Sequence, residues 1–359
     1  MSVVRSSKPL HRILIRLPNW VGDMMIALPA VQSLRVACPE ARLIGMARPE
    51  HVELAQRIQA LDEVMPAPPR TGSNRHLATL TVSRSLRHAS VDAAVLLAPS
   101  FEAALMVWLA GIPLRVGHGT DHRAALLNRV VEVRDCHRSD GFQDVVSELG
   151  ARPADNPDGA DNGGGLQVTA ADRGYVDRLA TTFGLDRHAT VFVNPASGKK
   201  PRAWASERFR QLAEHLTERH PGTFVLVHDH HPFDCPDGWP STDAIRPVSG
   251  ASLVELAGVI ERCSLYVGND SGPMHMAATL GVPTVGIYGP SSPERTSPRG
   301  VNGAAHIAVS ALFACSPCRE RFFEECPSPP SSDERPPCLN DISVETVADA
   351  VGRVLASRS

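Results

Sequence analysis

Lysine is almost absent: Lys8, Lys199 and Lys200 are the only ones among 36 basic residues, the remainder being arginine. Such a bias reflects the base composition of a coding sequence rather than a function. With a formal net charge of −3, it excludes the basic signature of a nucleic-acid binder. Long apolar runs are missing too. The nearest, 93–114, is interrupted by Pro99, Glu102, Gly111 and Pro113, and reads as a strand, a turn and a buried helix rather than a membrane span. Arg5, Lys8 and Arg12 precede the first strand with no hydrophobic core of signal-peptide length, so a cytosolic protein is expected. What is present, 43% apolar and 21% charged residues over 359 positions, is globular and too long for one ordinary core.

Apolar runs alternate with helical spacing along the chain. Strands are expected at 12–17, 42–47, 63–66, 91–98 and 114–117, with helices at 24–36, where Pro29 is a kink point, at 49–60 and at 101–110. A second series follows a Pro-, Gly- and Asp-rich stretch at 151–165: strands at 190–193 and 223–228, helices at 204–219 and 253–261. The fold class is therefore α/β, two doubly wound parallel sheets, with an N-terminal domain at 1–160 and a C-terminal domain at 161–359.

Three polar turns stand at strand ends, where open α/β sheets bind ligands. Pro18-Asn19-Trp20-Val21-Gly22-Asp23 follows the first strand, and Asp23 either serves chemistry there or caps the next helix. Asn194 to Trp204 carries Lys199, Lys200 and Arg202, cations that suit a diphosphate, though a solvated basic loop has the same composition. Asn269-Asp270-Ser271-Gly272-Pro273-Met274-His275 turns a buried strand into a helix. Asp270 or Ser271 caps it, and its N–H groups and positive dipole end suit a phosphate, or the turn is an ordinary strand–helix corner. The loop at 118–123, with His122 and Arg123, either touches an acceptor or is merely solvated.

Two further clusters have metal-like composition. His230, His231, Asp234 and Cys235 sit in a proline-broken loop without a ligand pair at helical spacing, which argues against a metal. Cys315, Cys318, Cys326 and Cys338 lie in a segment with little to bury, where four thiolates would make a zinc or redox clip. Cys38, Cys136 and Cys263 read as small buried apolar residues.

In this order, the turn at 18–25, the Asn194-Pro195 basic loop running into Trp204-Ala-Ser-Glu-Arg-Phe, the 269–275 turn and the late Cys-Ser-Pro-Cys resemble the ADP-heptose:lipopolysaccharide heptosyltransferases, on the side of heptosyltransferase II. The resemblance implies a GT-B fold of two Rossmann-like domains facing a cleft, an ADP-heptose donor and a lipid-linked lipopolysaccharide inner-core acceptor at the inner face of the cytoplasmic membrane. It also implies inverting transfer that requires no cofactor. Asp23 is then the general base. Lys199, Lys200, Arg202, Asp270, Ser271, Gly272, Pro273 and His275 hold the donor on the C-terminal domain, and Asn19, Trp20, His122 and Arg123 the acceptor on the N-terminal one. Two features depart from the family: Arg202 stands where a lysine is usual before the Trp, and the 229–235 loop lacks a Gly-rich turn with a Glu. A transferase with another nucleotide sugar or acceptor, and a silent nucleotide-sugar binder, are the alternative readings. The closing helix, 343–355, packs either toward the first domain or only on the second.

Overall fold

The computed structural model describes residues 9–69, 71, 74–153, 165–184, 190–198, 202–229, 238–299, 304–311, 313, 315–316, 318 and 336–356. They fall into two compact units, one from Met1–Pro157 with Gly165–Gln167, the other from Val168–Ser359. The loop at 230–237, Lys199 and Lys200, Cys326 and most of the expected linker lie outside the described residues.

The first unit runs β1 (Arg12–Arg16), α1 (Val21–Ile26), α2 (Leu28–Ala37), β2 (Arg42–Ala47), α3 (Val52–Ala55), β3 (Glu63–Pro66), α4 (Arg75–His88), β4 (Ala93–Leu96), α5 (Phe101–Leu109), β5 (Leu114–His118), β6 (Arg129–Val131) and α6 (Arg138–Ser147). Its strands are parallel in the order β3-β2-β1-β4-β5-β6. Ile13, Leu14 and Ile15 of β1 and all of β4 are buried on both faces, which is why those runs carry no polar alternation.

The second unit runs α7 (Ala170–Phe183), β7 (Thr190–Asn194), α8 (Ser206–Arg219), β8 (Phe224–His228), β9 (Ile245–Val248), α9 (Leu253–Arg262), β10 (Leu265–Asn269), α10 (Gly272–Thr279), β11 (Thr284–Tyr288), α11 (Pro293–Thr296), β12 (His306–Ser310), α12 (Pro337–Asn340) and α13 (Val344–Ala356). Its parallel order is β12-β11-β10-β7-β8-β9. Chain order reverses between β1 and β4 in one sheet and between β7 and β10 in the other. At such a reversal the two following connections leave to opposite faces and open a crevice at the carboxyl edge.

Local departures have local causes. The helix expected at 24–36 is broken into α1 and α2 at Ala27, because Pro29 has no N–H to bond the carbonyl four residues earlier. Bonds from Ala27 N to Asp23 O and from Val31 N to Ala27 O keep the two pieces in line. The helix expected at 49–60 shrinks to a 3-10 turn at Pro49–His51 and the four residues of α3. Beyond α3, Ile58 forms a β-bridge with Leu166, and Gln59 N donates to Gly165 O. The C-terminal helix α13 is capped by Ser343 Oγ, which accepts from Thr346 N, and its Val347, Ala350, Val351 and Val354 join Leu212, Leu216 and Val285 in the core of the second unit. Cys263 is buried as expected, but Cys38, the cap that ends α2, and Cys136, in the bend between β6 and α6, are only half-buried because they lie outside the packed elements.

Candidate functional site

Both crevices are furnished with polar side chains. In the first unit, Asp23 stands in the first turn of α1, directly after the turn that leaves β1. Its carboxylate accepts from Arg138 Nη1 at 2.5 Å, and both side chains remain partly open to solvent. Arg138 opens α6, which His137 caps by accepting from Ser139 N. Arg16, the last residue of β1, is buried. Its guanidinium donates to the carbonyls of Leu17 and Met46 and, at 2.6 Å, to Asn19 Oδ1, so the turn that presents Asp23 is held from beneath. Trp20 is 56% exposed, with the Arg48 guanidinium 5.8 Å above its ring.

A cleft of about 680 Å³ lies at this carboxyl edge, lined among others by Arg16 and Asn19 after β1, Arg75 and His76 of α4, and Phe101 and Glu102 of α5. Of the other two residues assigned to an acceptor, His122 is exposed, in a left-handed pair with Asp121 at φ of 54° and 55°. Arg123 is wholly buried, donating from Nε to His118 O at 2.8 Å and from Nη1 to the carbonyls of Ala98 and Ser100. Burial, against the pull of Asp121, lowers its pKa to about 10. In this position it braces the backbone at Ser100, part of the cleft wall.

In the second unit two asparagines at strand ends organise the crevice. Asn194 Nδ2 donates to Tyr266 Oη at 2.7 Å and to Ser271 Oγ at 3.4 Å, while its Oδ1 accepts from His228 Nδ1 at 2.9 Å and Ala196 N at 3.2 Å. Asn269 reaches both ends of the basic loop, donating to Pro195 O at 2.7 Å and accepting from Trp204 N at 2.9 Å. Trp204 itself is buried, its ring edge-on to Phe209 and its Nε1 donating to Ile342 O at 3.0 Å. Both asparagines are fully buried and have their polar atoms satisfied, which stiffens the crevice.

Neither Asp270 nor Ser271 caps α10 by a side-chain bond. Ser271 occupies the cap position with its hydroxyl turned to Asn194, and Gly272 and Pro273 open the helix. Asp270 is buried, with Arg202 Nη1 at 3.7 Å and His275 Nε2 at 3.6 Å. Burial pushes its carboxyl up, but the imidazole and the guanidinium outweigh this and hold it below the usual carboxylate range. Arg202, Asp270, Ser271, Gly272, Pro273 and His275 are thus brought together at one sheet edge, with a helix start whose N–H groups no side chain occupies.

Sequence reasoning gave no role to Arg16, Arg138, Asn194, Asn269 or Tyr266. Arg16 left a signal, a charge closing an otherwise apolar strand, and Asn194 and Asn269 both end strands. Arg138 left none, because its partner is 115 positions away. Among the described residues no three of His, Cys, Asp and Glu gather as they would around a metal ion, and Cys315 and Cys318 are half-buried while Cys338 is buried beside Leu339. No helix among the described residues is long and apolar enough to cross a membrane.

The family model described as "Glycosyltransferase family 9 (heptosyltransferase)" matches residues 79–326. Lipopolysaccharide heptosyltransferase 2 of Escherichia coli K12 is 29% identical over 307 residues, covering 80% of this chain and 85% of that protein. Among solved structures, E. coli ADP-heptose lps heptosyltransferase II superposes with a TM-score of 0.74 at 23% identity, covering 97% of this chain and 99% of that one. A glycosyltransferase family 9 protein of Veillonella parvula superposes at 0.78 with 20% identity, covering 98% and 99%.

Proposed function

The chain belongs to glycosyltransferase family 9, the heptosyltransferases, and from that premise we propose that it moves a heptose from ADP-heptose to the inner core of a lipopolysaccharide precursor at the membrane surface. What supports the mechanism is that Asp23, paired with Arg138, follows the β1 turn at the β1–β4 chain reversal, the same turn whose Asn19 lines a cleft of about 680 Å³. Transfer is a single displacement with inversion. The acceptor hydroxyl gives its proton to Asp23 as its oxygen bonds the anomeric carbon, and the bond from that carbon to the diphosphate breaks with its electron pair leaving on ADP.

The first unit takes the acceptor, through Asn19, Trp20 and the cleft. The second takes the donor, with Arg202 and, from the same loop, Lys199 and Lys200 offsetting the growing negative charge on the diphosphate. The Gly272 N–H and the positive dipole end of α10 complete that seat. Such a leaving group needs neither a general acid nor a bound metal, so chelators should leave the rate unchanged. Zinc on the late cysteines would be structural, and one equivalent found by metal analysis, with loss of stability on chelation, is the expected sign of it.

Transfer of radiolabelled heptose to a core-deficient acceptor tests the reading. Asp23→Asn should lose about 10² to 10⁴ in turnover, the usual contribution of a general base. Turnover within threefold of the parent would remove Asp23 from the mechanism, and no transfer from ADP-heptose by the parent would remove the function.

A further inference from the structure

The helices α4 and α5 lie side by side and parallel. Thr79 Oγ1 donates to Glu102 Oε1 at 3.1 Å and Ser83 Oγ to Met106 O at 3.0 Å. Further along, the Arg87 guanidinium donates to the carbonyls of Leu109 and Ala110. These contacts advance four residues at a time on both helices, so they fix which faces look outward. On α4 the outward positions beside the seam are Leu77, Leu80 and Arg84. On α5, Phe101, Leu105 and Trp108 recur at i, i+4 and i+7. Leu77 is 62% exposed and Trp108 48%, with Leu80 and Phe101 at 42% each.

A surface helix ordinarily turns polar residues outward. Here α5 has a single polar side chain, Glu102, and it is turned inward to Thr79. The charge is equally one-sided. α4 carries Arg75, His76, Arg84, Arg87 and His88 and no carboxylate. Contiguous apolar side chains of this size, rimmed by cations, mark an interaction surface. The patch is also continuous with the cleft, since Phe101, Leu105, Arg75 and His76 line it.

We propose that the outer face of α4 and α5 docks on the anionic surface of a phospholipid bilayer. Leu77, Leu80 and Trp108 enter the headgroup boundary, where an indole is most at home, and Arg75 and Arg84 meet lipid phosphates. A second copy of the chain fits less well, because a two-fold contact would set the cations of α4, a helix without a carboxylate, against themselves. The proposal rests on reading the cleft as the acceptor site in one respect: a lipid-borne acceptor then enters along Phe101 and Leu105 without leaving the bilayer.

The test is co-sedimentation of the full chain with vesicles of phosphatidylethanolamine and phosphatidylglycerol, beside turnover on an acceptor stripped of its acyl chains. The parent should bind these vesicles, less in high salt and less to phosphatidylcholine alone. Leu77→Ser with Leu80→Ser and Trp108→Ser should weaken binding about tenfold or more, and Arg84→Glu several-fold, with turnover on the soluble acceptor unchanged. Binding by the triple variant equal to the parent's, or no binding by the parent, overturns the proposal. So does light scattering that finds a dimer which the triple variant dissolves while vesicles remain unbound. If vesicle binding follows the patch but no protein transfers heptose to the soluble acceptor, the docking surface stands and the transferase reading falls.

Discussion

Asn269 illustrates how much a single buried side chain settles. Its amide joins the first and last parts of the basic loop, so Asn269→Ala leaves a buried carbonyl and a buried N–H without partners and should cost about 2 kcal/mol or more in a denaturant titration. The same change should weaken ADP binding through the loop while every cation is still present. Two neighbouring groups respond to pH in ways that can be separated. His306 has its pKa lowered from the ordinary 6.5 to about 4, by burial first and then by His275. Between those values the unfolded chain takes up a proton that the folded one refuses, so stability falls as pH drops from about 6.5 toward 4. His306→Gln should flatten the fall in thermal midpoint between pH 7 and 5. Asp270 is depressed instead, so its contribution is complete above the ordinary carboxylate pKa and disappears as pH falls through its lower folded value. The destabilisation in Asp270→Asn should therefore shrink in strong acid. The gathering of Asp270, His275 and Arg202 at one sheet edge was legible in the sequence, because each lies in a polar turn that directly follows a buried strand. The roles of Asn194, Asn269 and Arg138 were not, because each depends on a partner that only the sheet order or helix packing brings near.

Among elements, those with a uniform burial pattern read most clearly. β2 falls at the expected bounds, and β1, β4, β7 and β8 within two residues of them, since strands buried on both faces are unbroken apolar runs; the helix α9 and the edge strand β3, whose ends are exposed, match as well. α4 was not legible at all. Its leucines at 77 and 80 face solvent, so its pattern gives no inward stripe, and the buried positions Thr79 and Ser83 look polar until their bonds to α5 are seen. β6, β9 and β12 lie at sheet edges or near them, where short, partly exposed segments lose the apolar signature. Close helix packing gives a test at this scale. A Cβ on Gly258 of α9 would stand 2.6 Å from the carbonyl oxygen of Asp172, in the first turn of α7. Gly258→Ala should therefore cost about 1–3 kcal/mol as the two backbones are forced apart, although alanine favours a helix. A midpoint equal to the parent's would mean that the helices separate freely.

For the whole molecule, the proposed division of labour between the units predicts which measurements move together. Asp23 belongs to one unit and Arg202 to the other, so Asp23→Asn should leave ADP affinity unchanged in calorimetry. Arg202→Ala should weaken it by about 1.5–3 kcal/mol, the range for a hydrogen bond to a charged group, with the loss smaller at high salt. Titration with UDP and GDP in place of ADP tests the choice of base, for which the sequence of the 229–235 loop offers no familiar guide. The two sheets have a further property. Adding six to each strand number of the first sheet, β3-β2-β1-β4-β5-β6, gives the second, β9-β8-β7-β10-β11-β12, read from its other edge. Among the described residues each sheet is thus spun from one length of chain, with no strand lent to the other. Chimeras of two relatives therefore need a single crossover to exchange a whole sheet with its crevice. The bridge between Ile58 and Leu166 says where the joint belongs: beyond Gln167, so that the first half keeps the residues that close its own edge.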